Sequence, residues 1–274
     1  MNPASRLNDL VEFFNSANPN AAIKEAWEKY MGSASTPLTE DEVLDVIQAV
    51  LAEIRAMEAK LKEIGTPANL YTDCVTQLRT GFSPTQLAAA WNAHREQMLK
   101  RATPLALQWA AWALSQFDEN EIDDEAMESL RTSLAAQENL LQETNLPTGL
   151  REMLERQTAA LRRALHLYKI QGVAPLRKVV TDSVGELTTA SSELVATVET
   201  GEPKAKQVLK QGMALIGKVA EVADKGSKSI KFGKEVYELG TAAWTSFQGL
   251  LNSRPTISNV LKEFAMPSKR RTQC

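Results

Sequence analysis

From Ala205 to Leu251 the chain places an apolar or small residue at every third or fourth position: Ala205, Leu209, Gly212, Ile216, Val219, Ala223, Gly226, Ile230, Gly233, Tyr237, Gly240, Trp244, Phe247 and Leu251. Alternating steps of three and four trace one face of an α-helix and exclude a strand, whose side chains repeat every two residues. Four of the six glycines in this segment share one heptad position. A glycine inside a helix costs about 1 kcal/mol relative to alanine. Aligned in a row, glycines instead let a second helix approach closely, as small residues do at tight helix contacts. Lys218, Lys228 and Lys231 fall off this seam and make the segment basic. A turn at Asp224-Lys225-Gly226-Ser227, dividing the segment into two amphipathic helices, is the alternative, because Gly followed by Ser ends one helix and caps the next.

The same period runs through the rest of the chain. Thr39 with Glu42 three residues later is a capping box. After it Val43, Ile47, Val50, Ile54, Met57, Leu61 and Ile64 keep the three-four spacing until Gly65-Thr66-Pro67. Similar spacing predicts helices over residues 5–16, 21–31, 68–79, 123–144, 150–170 and 176–198, with two more opening after Ser83-Pro84 and Thr103-Pro104. These last two hold Trp91, Trp109 and Trp112 and are expected to form the centre of the N-terminal core. No period-two stretch occurs, so the fold class is all-α, a multi-helix bundle.

Charge divides the chain. Residues 1–145 carry 11 Lys+Arg against 22 Asp+Glu, whereas residues 146–274 carry 20 against 12. The expected organisation is an acidic helical part over 1–145, connecting helices over 146–202, a basic amphipathic segment over 203–264 and a basic tail over 265–274. Two cysteines, Cys74 and Cys274, supply no disulfide framework and fit a reducing compartment. The first residues lack the basic and apolar regions of a secretory leader, so the expected location is the cytoplasm.

No catalytic, metal or cofactor site is expected. Gly212 to Val219 spells most of a phosphate-binding loop, but Val219 stands where that loop needs Ser or Thr, and the intervening residues favour helix. His94 and His166 have no partner at metal-ligand spacing. The run from Asp118 to Glu125 lacks the central glycine of a calcium loop and reads as a solvated acidic stretch ahead of a helix N-terminus. Nucleic acid is disfavoured as a partner, because the basic half shows neither a recognition helix nor stacking aromatics.

Two short stretches, Glu25 to Gly32 and Ala164 to Gly172, resemble elements of a group of bacterial all-helical proteins to which no activity is attached. The usual pattern of the second has Arg where His166 and Gln171 stand. The resemblance implies a helical fold and a bacterial source. The glycine seam and the lack of a catalytic pattern give the expected function, that of a non-enzymatic interaction or assembly protein. It binds itself or a protein partner through C-terminal helices, at Gly212, Gly226, Gly233, Gly240, Tyr237, Trp244 and Phe247 with Lys218, Lys228 and Lys231 alongside. The alternative is a membrane-acting effector of toxin or defence type, associated peripherally, whose amphipathic segment is released onto an anionic membrane.

Overall fold

The computed structural model describes residues 1–31, 38–86, 91, 95, 102–189 and 203–226. Among the described residues there are nine α-helices and no strand. They are α1 (Pro3–Ser16), α2 (Ile23–Met31), α3 (Glu40–Glu63), α4 (Thr72–Gly81), α5 (Ala102–Ala113), α6 (Asp124–Glu143), α7 (Thr148–Gln171), α8 (Ala174–Thr189) and α9 (Pro203–Lys225). The expected helix over 68–79 is instead a 3-10 turn at Ala68–Leu70 followed by α4.

The helix ends follow from local chemistry. Asn2 caps α1, its side chain accepting from Ser5 N at 3.1 Å. Thr39 and Glu42 form the expected capping box on α3, with Glu42 N donating to Thr39 Oγ1 at 3.2 Å and Thr39 N to Glu42 Oε2 at 2.8 Å. At the other end Gly65 takes φ +75°, Thr66 N donates to Leu61 O and Gly65 N to Lys62 O. This pair of bonds closes a Schellman motif, which needs a left-handed residue where glycine stands.

The chain divides into two compact units that are not contiguous in sequence. The first takes in Met1–Asp123, Arg162–Leu176 and the described part of Lys225–Lys228; the second takes in Asp124–Leu161 and Arg177–Asp224 among the described residues. The charge boundary at 145 coincides with neither.

In the first unit α1 packs on α3 and α5. Its core centres on Phe14, whose ring meets Trp27 at 4.6 Å, Trp91 at 5.1 Å and Phe82 at 5.5 Å, each near edge-to-face. That arrangement suits the ring quadrupoles. Trp91 is fully buried because its indole N–H reaches Phe14 O at 2.8 Å. Trp112 corrects the expectation for the tryptophans: it is 75% exposed. Cys74 is buried, and burial pushes its thiol up to about 12, which keeps it protonated.

In the second unit Leu141, Leu150, Met153 and Leu154 pack with Val208 and Leu209 of α9. The six seam positions from Ala205 to Ala223 are buried, and so is Gly226 in the first unit. A Cβ at Gly212 would lie 3.1 Å from Gln137 Nε2 and 3.2 Å from Leu154 Cδ2. The missing side chain admits the buried Gln137 amide, which donates to Val208 O at 3.2 Å. Arg151 donates to Leu141 O at 2.9 Å and Thr144 O at 2.5 Å, covering carbonyls at the end of α6 with positive charge.

Candidate functional site

Of the residues expected to form an interaction site, Gly212, Lys218 and Gly226 are described. Lys228, Lys231, Gly233, Tyr237, Gly240, Trp244 and Phe247 lie outside the described residues, as does His94. Gly212 spends its close approach on Gln137 and Leu154 of the same chain. Gly226 follows the last residue of α9, as the turn alternative expects, and a Cβ there would lie 2.3 Å from Val173 Cγ1. Lys218 is exposed and its Nζ donates to Ser133 Oγ at 2.9 Å. The stretch from Gly212 to Val219 lies within α9, so its amides serve the helix rather than a phosphate cradle.

The first unit carries an ion cluster that periodicity did not reveal. Arg6 on α1 is 7% exposed and Glu53 on α3 is 4% exposed. Arg6 donates through Nε at 2.7 Å, and its Nη2 lies 2.6 Å from the same Glu53 Oε1. Its Nη1 reaches Glu119 Oε2 at 2.9 Å. Burial pushes the Glu53 carboxyl up, and the Arg6 guanidinium pulls against that rise. Glu119 belongs to the stretch expected to be a solvated loop; Arg6 draws it inward, and its Oε2 also accepts from Val173 N at 3.3 Å. Gly172 takes φ +60° beside this cluster, where a Cβ would sit 2.2 Å from Glu119 Oε2 and 2.5 Å from Arg6 Nη1. Only glycine meets both requirements.

Above this floor lies a cavity of about 430 Å³. Arg6, Asp9 and Phe13 of α1 line it, with Tyr30 at the end of α2, Tyr168 and Lys169 at the end of α7, and the 119–121 stretch. Lys169 Nζ donates to Tyr30 O at 2.6 Å and sits 4.1 Å from the centre of the Tyr30 ring. Its amine is pulled below the ordinary lysine range by desolvation. Burial, then the nearby Asp9 charge, push the Tyr30 phenol up to about 12. Tyr168 is also raised, first by burial and then by Glu121 and Glu119 against a backbone bond from Ile122, so it stays a neutral phenol. Its oxygen accepts from Ile122 N at 3.0 Å.

A second feature is the outer face of α5. Residues 102–113 contain no charged side chain. Leu107 and Ala110 are buried, while Leu105 is 56% and Trp112 is 75% exposed. His166 makes no such site. It is half-buried, its Nε2 is enclosed without a hydrogen-bond partner, and burial lowers its pKa against the pull of Glu42 and Asp45. Among the described residues no group of three or more His, Cys, Asp or Glu could hold a metal ion, and no helix is long and apolar enough to cross a membrane. No family model, curated protein or solved structure matches the chain.

Proposed function

We propose that this chain is a non-enzymatic assembly protein whose copies associate through the uncovered face of α5. The observation that carries this reading is Trp112, three-quarters exposed on a helix without a charge. A helix this poor in polar residues is ordinarily enclosed, yet its outer face presents Leu105 and Trp112 with Gln108 between them. Tryptophan is also among the side chains that most often anchor a protein interface. Charge selects the occupant. Residues 102–113 carry no charge, so two copies can meet across this face without bringing the acidic side chains of residues 1–145 together. The C-terminal helices fit less well as the binding surface over their described part, because the α9 seam is enclosed and its tight glycine contact at Gly212 is met by Gln137 and Leu154.

Sedimentation velocity over a range of concentrations tests the reading. The wild type is expected to show a concentration-dependent dimer that Trp112→Lys abolishes while the helical circular dichroism spectrum is unchanged. A wild type that is monomeric throughout refutes it. Salt-sensitive binding of that monomer to anionic vesicles, and not to neutral ones, would favour a membrane-acting effector instead.

A further inference from the structure

We propose that Gln137 and Gly212 form a register lock in the second unit: a buried amide on α6 fits a missing side chain on α9, so that α9 seats at one position along its axis and not one heptad away. This inference is independent of the α5 surface.

The apolar pattern of α9 does not choose that position by itself. Its buried residues fall in three rows of heptad spacing. One row is Val208, Leu215 and Val222, and a second is Leu209, Ile216 and Ala223. A shift of seven residues, about 10.5 Å at the helical rise, moves each row along itself and keeps apolar against apolar. Helices with a repeating apolar seam need a polar core residue to set their register. The third row, Ala205, Gly212 and Val219, is the uneven one, because its side chain is absent only at the centre.

Gln137 discriminates along that row. It is 1% exposed, and its Nε2 donates to Val208 O at 3.2 Å, a carbonyl that already belongs to the helical ladder of α9. The amide lies directly against Gly212, where a Cβ would stand 3.1 Å from Nε2 and 3.2 Å from Leu154 Cδ2 of α7. Moved by one heptad, α9 would present Val219 or Ala205 at this point. Alanine brings the Cβ itself and valine adds two methyls beyond it, so either displaces the amide from its seat. The Gln137 Oε1 has no hydrogen-bond partner among the described residues. A half-paired buried amide costs stability relative to an apolar side chain of similar shape. What Gln137 supplies is therefore the choice of one register, the best-attested use of a buried polar group.

Lys218 provides the reporter. Its Nζ reaches Ser133 Oγ at 2.9 Å, and Ser133 lies one turn before Gln137 on α6, so position 218 stands opposite 133 in this register. A slip of one heptad would bring 211 or 225 there instead. In the full chain carrying Cys274→Ser, Ser133→Cys would be combined in turn with Gln211→Cys, Lys218→Cys and Lys225→Cys. Linking within the chain by a short bis-maleimide would be read by peptide mass spectrometry. With Gln137 and Gly212 in place, the 218 pair alone should link rapidly. Gln137→Met should open at least one of the other two pairs while the helical circular dichroism spectrum is retained. Ala205→Gly combined with Gly212→Ala moves the glycine back by one heptad and should transfer the link from 218 to 211. The proposal is overturned if folded Gln137→Met still links at 218 alone, or if the transposed glycine leaves the link at 218. Should Gln137→Met not fold, the glycine transposition decides.

Discussion

Replacing Arg6 by methionine removes the cationic partner of a carboxylate that is 4% exposed. The side-chain volume is roughly kept, so the change is chiefly one of charge. Both Nε and Nη2 of Arg6 lie within 2.7 Å of one Glu53 oxygen. Removing one partner of a buried pair costs about 3–5 kcal/mol, whereas replacing both by apolar residues is often neutral or better. Arg6→Met should therefore lose about 3–5 kcal/mol. Glu53→Met should lose less, because Arg6 keeps Glu119 at 2.9 Å. The double variant should recover most of the Arg6→Met loss. Four of the five tryptophans, Trp27, Trp91, Trp109 and Trp112, lie in the first unit, so tryptophan fluorescence during urea denaturation reports mainly on that unit. Acidification supplies a second signature. A protonated Glu53 needs no partner, so the Arg6→Met deficit should narrow as pH falls. A loss under about 1 kcal/mol for Arg6→Met, or two losses that simply add in the double variant, would refute the assignment of a coupled buried pair.

Three further outcomes are expected. Gly172→Ala should cost more than Gly65→Ala in thermal melts: both have positive φ, but only at 172 does a Cβ meet Glu119 and Arg6, while nothing lies within 4 Å at 65. Gly217→Ala should stabilise by about 1 kcal/mol through helix propensity, because its site is exposed and open. Gly212→Leu should instead destabilise by about 1–3 kcal/mol through overpacking against Gln137 and Leu154, and chemical denaturation distinguishes the two signs. His166 has a folded pKa below its ordinary 6.5, so the unfolded chain takes up its proton first. Its contribution is present above pH 6.5 and is lost as pH falls through the folded value, a slope that His166→Gln should remove from a pH series of melting curves.

The helices were legible wherever one side of a segment is apolar and its ends carry specific chemistry. Val43 through Leu61, capped by Thr39 and stopped at Gly65, is read almost residue for residue. Alpha5 was legible as a helix from Thr103-Pro104, but with no charge and only Thr103 and Gln108 polar its sequence does not say which tryptophan faces inward. Trp109 packs against the core and Trp112, three residues on, does not. Arg6 and Glu53 left a trace that an apolar reading passes over. Arg6 stands four before Leu10, and Glu53 stands between Val50 and Met57 in the buried stripe of α3. Opposite charges at two core positions are the signal of a buried pair. The cavity left none, since Asp9, Tyr30, Glu121 and Lys169 come from distant parts of the chain and share no local spacing. Glu119 was read as solvated for the same reason: its partner lies 113 residues away.

The discontinuity of the first unit sets the order in which the protein can be made. Leu167 and Ile170 belong to the same buried cluster as Phe14 and Trp27, and Asn120 N donates to Gly226 O at 2.9 Å. A nascent chain that has emerged only through Asp123 lacks those residues. At roughly 5–20 residues per second, synthesis leaves this N-terminal portion waiting for several seconds with part of its apolar interior uncovered. Its final closure comes only after α9 has been translated. Chaperone engagement during that interval, and a protease-resistant N-terminal portion that appears only in nascent chains longer than about 230 residues plus the ribosomal tunnel, follow from this interleaving.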